Sequence, residues 1–257
     1  MGVSMFKRLS LAFVLCFAFA ATAQEATIAA ASDLKFALDE VVRTYEAQTG
    51  HKIRVSYGSS GNFTRQIAQG APFDMFLSAD EAYVAKLHRL GLSADDGRLY
   101  AVGHIVLFVP KGSTVKADAD LQDLRAALAD GRLKKLAIAN PEFAPYGRAA
   151  REVLQANKLW DLVQDNLVLG ENVSQAAQFA ASGSAQAGIF ALSLAMSPNF
   201  ANAGAYVILA EQWHAPLRQR MVLLKRGADR ARAFYDYMQQ PAARAILQRH
   251  GFALPGE

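Results

Sequence analysis

The sequence predicts an α/β fold in which helices flank the sheets and a ligand cleft separates two lobes. Three strand–helix units begin at residues 26–31, 53–57 and 74–78, and this alternation is typical of a sheet with crossover helices. Two strand-like segments, 101–105 and 213–220, are candidates for the places where the chain crosses between lobes. One lobe would then contain both ends of the chain, and a ligand would lie at the carboxyl ends of the strands.

Strands are predicted from short apolar runs, and helices from apolar residues at helical spacing. In the first unit, Ser32 and Asp33 separate the strand from a helix that ends at Gly50, and in the second a Gly/Ser turn at 58–61 precedes the helix. The later segments predict strands at 100–109, 136–139, 167–169, 187–192, 206–209 and 221–224, and helices at 121–133, 146–154, 173–180, 229–239 and 241–250.

Residues 1–23 have the pattern of a secretory signal peptide. Lys7 and Arg8 precede an apolar run at 9–20, and the small residues at 21–23 provide a cleavage site. The run is too short for a stable membrane span. We therefore expect this segment to be removed on export, which indicates a periplasmic protein.

Charge and cysteine content argue against several classes of function. Without Lys7 and Arg8, 25 Lys and Arg face 23 Asp and Glu, and no basic run contains interleaved aromatic residues, so we expect no nucleic-acid partner. The single cysteine, Cys16, lies in the predicted signal peptide, so the exported chain has no thiolate for a disulfide or metal site. The five histidines are scattered, and we expect neither a metal site nor a cofactor.

Four predicted helix starts carry the candidate binding chemistry, and they lie at residues 32–33, 60–62, 146–147 and 172–173. The first N–H groups of a helix have no partner within it, and the helix dipole adds partial positive charge, so a helix start suits an anion. A Ser or Asn at these positions also has a simpler role as a helix cap. Spacing alone does not decide between four separate caps and one shared site for a small dianion.

At these positions the chain resembles the periplasmic molybdate-binding proteins of ABC importers. The segment GAPFDMFLSAD at 70–80 is similar to the most recognisable stretch of that family, and further matches are AAASDL at 29–34, GSSG at 58–61, NPE at 140–142, APYG at 144–147 and ENV at 171–173. The resemblance covers nearly the whole exported chain. It implies a two-lobed, type II periplasmic binding protein-like fold with mixed sheets, which holds molybdate, and by its similar size tungstate, between the lobes.

The ligand contacts that the resemblance implies are the hydroxyl and N–H groups of Ser32 and Ser60 and the N–H groups of Tyr146 and Val173. Asp33 is a further candidate through its backbone N–H, with its carboxylate turned away from the dianion. None of these groups would bind molybdenum itself. All of them would donate hydrogen bonds to the oxygen atoms of the ion.

Ala191 marks a departure from the family pattern. Some members have a tyrosine hydroxyl contact at this position, and the methyl group of Ala191 cannot donate a hydrogen bond. One bond fewer to a charged ligand would weaken binding by ~1.5–3 kcal/mol. The hydroxyl of Tyr146 is a candidate replacement.

The two crossing segments place one lobe at residues 24–102 together with 218–257, and the other lobe at 103–217. We expect a monomer that captures its ligand by lobe closure and then docks on the membrane permease of an ABC importer. The family resemblance implies these partners, whereas composition and spacing do not identify them.

Other functions remain open. Another tetrahedral oxyanion such as sulfate would also suit uncharged donors, and only the size of the cavity would separate it from molybdate. A serine-dependent hydrolase is a weaker alternative, because Ser59 and Ser60 do not lie in a Gly-x-Ser-x-Gly motif and no histidine is placed as a base. We therefore expect no catalytic residue. Arg65 and Arg148, just inside two of the helices, are expected to face solvent.

Overall fold

The structure is a computed structural model that describes residues 25–256. The predicted signal peptide at 1–23 lies outside the described residues. The strands, in chain order, are β1 (Ala26–Ala31), β2 (Ile53–Gly58), β3 (Met75–Ser78), β4 (Arg98–Gly103), β5 (Ile105–Pro110), β6 (Leu136–Ala139), β7 (Leu167–Gly170), β8 (Ala187–Ala191), β9 (Gly204–Ile208) and β10 (Leu217–Leu223).

The α-helices fill the connections between these strands. They are α1 (Lys35–Thr49), α2 (Ser60–Ala68), α3 (Glu81–Arg89), α4 (Gln122–Ala129), α5 (Pro145–Ala156), α6 (Trp160–Val163), α7 (Val173–Ala181), α8 (Leu192–Ala195), α9 (Pro198–Ala201), α10 (Ala228–Tyr237) and α11 (Pro241–Arg249). Short 3-10 turns lie at Ser32–Leu34, Gln164–Asn166 and Glu211–Trp213.

Two mixed sheets of five strands form the two lobes of the α/β fold. The first sheet has the order β2-β1-β3-β10-β4 and the second has the order β7-β6-β8-β5-β9. In each sheet three neighbouring strands are parallel, and the remaining pairings are antiparallel. The first sheet therefore contains strands from both ends of the chain. The residue limits given above for the two lobes remain a prediction.

The segment 100–109 does not form the single strand that its composition predicts. It is split at His104, so that β4 belongs to the first sheet and β5 to the second. The short helices α6, α8 and α9 were also not predicted, because four residues are too few to show helical spacing. Predicted helix 121–133 is shorter in the structure and begins after Leu121, which has a positive φ of 56°.

The central strands are buried on both faces, which explains their nearly continuous apolar sequences. In β1, Ile28 and Ala30 face one apolar cluster of the first lobe, and Ala29 faces another. The second lobe has its own core, which includes Phe108, Ile138 and Ile189. Within 25–256, no helix is both long and apolar enough to cross a membrane.

Parallel pairing positions the helix starts. β1 pairs in parallel with β2, and β6 pairs in parallel with β7, so the carboxyl ends of each pair lie at one edge of its sheet. β1 leads into the Ser32–Leu34 turn, β2 into α2, β6 into α5 and β7 into α7. Two helix starts from each lobe therefore face the same region.

Candidate functional site

A small cavity lies between the two lobes. The residues around it come from the helix starts of both lobes. They are Ala31, Ser32, Asp33, Gly58, Ser59, Ser60, Ala79, Ala144, Pro145, Tyr146 and Val173. Every member of this lining set other than Asp33 is uncharged, and the set contains no lysine or arginine. An anion here would meet N–H and O–H donors rather than cationic side chains.

In the Gly/Ser turn before α2, Ser59 is the helix cap and Ser60 is the first residue of the helix. The Ser59 hydroxyl accepts a hydrogen bond from the N–H of Asn62 at 3.4 Å and caps α2. Ser60, the first helical residue, is fully buried, and its Oγ accepts from the N–H of Ala79 at 3.0 Å. Because that bond uses a lone pair, the hydroxyl hydrogen of Ser60 remains free to donate to a ligand in the cavity.

The Ser32 hydroxyl lies at the contact between the lobes. It donates to Oδ1 of Asn172 at 3.1 Å and accepts from the N–H of Ser174 at 3.3 Å. The Ser174 hydroxyl donates in turn to the carbonyl oxygen of Ser32 at 2.8 Å. In this closed arrangement the single Ser32 O–H is committed to Asn172, and its use by a ligand requires that bond to break.

The second lobe contributes the starts of α5 and α7. Pro145 occupies the first position of α5, where a residue without an N–H costs nothing, and Tyr146 follows with its N–H in the first turn. At α7 the side chain of Asn172 accepts from the N–H of Gln175 at 3.1 Å, and Val173 begins the helix. Backbone N–H groups of a first turn lack partners within their helix. They are the donors that the second lobe offers.

Asp33 lies at the cavity, and its carboxylate accepts from Nε2 of Gln219 at 2.6 Å. Burial raises the pKa of the Asp33 carboxyl to about 6, against the opposing effect of the bond from Gln219. Its Oδ1 is buried and has no hydrogen-bond partner among residues 25–256. The site therefore carries one buried acidic group that titrates close to neutral pH.

Two arginines near the cavity are engaged elsewhere. Arg148, in the first turn of α5, forms an ion pair with Asp80 at the start of α3 and another with Glu152 at 3.3 Å. Arg65 donates to Oδ1 of Asn62. Neither side chain lines the cavity. The ion pair between Arg148 and Asp80 joins the two lobes, so Arg148 does not simply face solvent as expected.

Five of the six candidate ligand residues line this cavity: Ser32, Asp33, Ser60, Tyr146 and Val173. Ala191 is fully buried at the end of β8 and is not part of the lining. The Tyr146 hydroxyl lies beside Gln219 and accepts a hydrogen bond from its Nε2 at 3.1 Å. Sequence reasoning did not identify Gln219, whose one signal is that it alternates with the apolar residues Leu217 and Met221 along β10.

Comparison with known proteins gives a consistent result. The sequence profile of the family described as bacterial extracellular solute-binding protein matches residues 26–253. The molybdate-binding protein ModA of Azotobacter vinelandii is 36% identical over 240 residues, which is 92% of this chain and 93% of the relative. ModA of Rhodobacter capsulatus is 35% identical over 246 residues, which is 95% of this chain and 94% of the relative.

The solved structure of the Azotobacter vinelandii periplasmic molybdate-binding protein is also similar to this chain. It superposes with a TM-score of 0.81 and 32% sequence identity, covering 90% of this chain and 99% of that structure. The similarity therefore extends over both lobes.

Proposed function

Because the chain belongs to the family of bacterial extracellular solute-binding proteins, we propose that it captures molybdate outside the cytoplasmic membrane and delivers it to the permease of an ABC importer. The relatives that share over a third of its sequence are named molybdate-binding proteins. The chain is thus a binding component of a transporter and not an enzyme.

The observation that supports this function most strongly is the composition of the cavity wall. Helix starts from two lobes surround this small cavity, and no lysine or arginine lines it. Fixed N–H and hydroxyl donors suit a fully ionised tetrahedral anion, because such an ion has only acceptors to offer.

The contacts that we propose for the ion are the Ser60 hydroxyl and the N–H groups of Ser32, Ser60, Tyr146 and Val173, with the N–H of Asp33 as a further donor. Ala191 has no direct contact in this proposal. Ser32 contributes its hydroxyl only where the bond to Asn172 is given up. These donors belong to both lobes, so only the closed form presents all of them, and binding shifts the equilibrium toward closure.

We also propose that tungstate binds with similar affinity and that sulfate binds much more weakly. Tungstate is close to molybdate in size, whereas sulfate is smaller and would leave donors in a rigid wall too far away. The protein is proposed to act in the periplasm as a monomer, after removal of the signal peptide at 1–23.

Isothermal titration calorimetry with sodium molybdate, tungstate and sulfate tests this function. We expect similar dissociation constants for molybdate and tungstate and at least a hundredfold weaker binding of sulfate. Failure to bind any of the three salts would exclude the function, and equal binding of sulfate would exclude selection by size.

A further inference from the structure

Gln219 is a buried amide on β10, beneath the cavity. No part of the residue is exposed to solvent. β10 pairs with β4 through a register shift between Gln219 and Arg220, and such an irregularity re-aims a side chain relative to a regular strand. A buried amide is costly unless its hydrogen bonds are satisfied. Its partners therefore indicate what holds it there.

The amide of Gln219 makes three hydrogen bonds. The hydroxyl of Tyr100 donates to Oε1 at 2.7 Å, and Nε2 donates to Oδ2 of Asp33 at 2.6 Å and to the hydroxyl oxygen of Tyr146 at 3.1 Å. Both amide hydrogens are thus used, and each goes to a residue that lines the cavity. Asp33 belongs to the first lobe and Tyr146 to the second, so one side chain joins the two walls.

Tyr146 links the start of α5 to the first sheet. Its ring is buried, its N–H lies in the first turn of α5, and its hydroxyl reaches the end of β4. A methyl group added at Gly103 would lie 2.1 Å from the Tyr146 hydroxyl oxygen, so only glycine leaves room for it. The hydroxyl therefore contacts the first sheet, while the residue also lines the cavity.

We propose that Gln219 is a positioning residue for ligand binding, which fixes the Asp33 turn and the Tyr146 turn relative to each other through its amide group. Gln219 does not touch the ion. It sets the distance between the donors of the two lobes, so that their N–H groups reach the same ligand. This inference rests on the proposed function, since its effect is measured as ligand affinity.

The test uses calorimetric molybdate titrations of the exported chain with Gln219→Met, Tyr146→Phe and the double variant. Tyr146→Phe keeps the main-chain N–H and removes only the hydroxyl. We expect Gln219→Met to weaken binding about tenfold or more and Tyr146→Phe about three- to tenfold. Because both changes break the same contact, their combined loss should be smaller than the product of the single losses.

Tyr235→Phe is the matched control. Tyr235 is a buried tyrosine of the first lobe, and its hydroxyl has no hydrogen-bond partner within the described part of the chain. Its variant should bind molybdate as the unmodified chain does. A loss of affinity in Tyr235→Phe equal to that in Tyr146→Phe would overturn the inference, because any buried hydroxyl would then have the same effect.

Gln219→Glu adds a readout that a purely structural role would not change. The introduced carboxyl would lie beside Asp33, and two adjacent buried carboxylates cannot both ionise readily. Molybdate affinity in this variant should therefore recover as the pH falls toward 5, more steeply than in the unmodified chain. A loss independent of pH would count against positioning by this amide.

The failure of this inference differs from the failure of the proposed function. If the unmodified chain does not bind molybdate, the function is wrong. If it binds and both single variants bind within twofold of it, the positioning role of Gln219 is wrong. Should Gln219→Met not fold, Tyr146→Phe decides alone, and unchanged affinity in that variant overturns the inference.

Discussion

The hydroxyl of Ser32 donates a hydrogen bond to Oδ1 of Asn172 across the cleft, at 3.1 Å and 140 residues away in sequence. Asn172 also caps α7 by accepting from the N–H of Gln175. The two residues that begin facing helices in different lobes are thus bonded to each other. The side chain of Asn172 therefore both caps α7 and joins the two lobes.

Ser60→Ala should weaken molybdate binding by about 10- to 100-fold, since a hydrogen bond to a charged group is worth ~1.5–3 kcal/mol. The change removes a fully buried hydroxyl at the cavity, whose oxygen accepts from the N–H of Ala79 and whose hydrogen is left to donate. Titration calorimetry measures the effect. Ser197→Ala is the control, because Ser197 is equally buried but bonds to Leu194 away from the cavity. Equal affinities for the two variants would contradict the role of Ser60.

Gly61→Ala should impair binding without weakening the fold. The N–H of Gly61 donates to the carbonyl oxygen of Phe143 in the other lobe at 2.9 Å, and an added methyl group would lie 2.6 Å from that oxygen. The clash opposes closure, so we expect an affinity loss of at least about tenfold. Alanine is the better helix former, so the unfolding temperature of the ligand-free variant should not fall. A lower unfolding temperature with unchanged affinity would refute this reasoning.

Asp33 should make stability depend on pH. Burial raises the pKa of its carboxyl from 3.8 to about 6, so the folded state holds the proton over a range in which the unfolded state has lost it. Stability should therefore decrease between pH 4 and 6, by up to about 3 kcal/mol for this group. Asp33→Asn, which stays neutral, should remove this decrease in urea unfolding at pH 4.5 and 7.5. Parallel pH profiles of variant and unmodified chain would contradict it.

The same carboxyl should make molybdate affinity fall as pH rises. A dianion in the cavity disfavours a nearby carboxylate, so binding raises the pKa of Asp33 further and is tighter where Asp33 is protonated. Tyr100 and Tyr146 do not titrate in this range, because burial holds the pKa of each well above 10. We expect weaker binding at pH 8 than at pH 5.5, and a flatter profile for Asp33→Asn. Equal slopes for both proteins would exclude this coupling.

Arg148→Gln should reduce affinity less than about tenfold. Its guanidinium pairs with Asp80 across the lobes and does not line the cavity, and partly exposed ion pairs contribute ~1 kcal/mol or less. The residual loss reflects weaker closure, and it should shrink at high salt concentration because the pair is screened. A loss above a hundredfold at any salt concentration would indicate that Arg148 grips the anion directly.

The parts of the site that could be predicted from sequence are those with local causes. Gly/Ser turns, Pro145 at a helix start and apolar runs each determine their own stretch of backbone, so all four helix starts were placed within a few residues of their observed positions. Only the family resemblance indicated that the four helix starts belong to one site. Five of the six candidate residues line the cavity.

The parts that could not be predicted depend on contacts between distant segments. Gln219 bonds Asp33 across 186 residues through an irregular strand pairing, and nothing in the neighbouring sequence indicates either contact. The break at His104 is likewise set by which sheet each half-strand joins, since both halves have the same apolar composition. The Ser32 hydroxyl bond to Asn172 depends on how the closed lobes meet.

A crystal structure grown with molybdate tests the central claim most directly. We predict one ion between the lobes, with its oxygen atoms about 2.7–3.1 Å from the Ser60 hydroxyl and from the N–H groups of Ser32, Tyr146 and Val173. An ion bound on a different surface, or held in the cleft by a lysine or arginine side chain, would contradict a site built from uncharged donors.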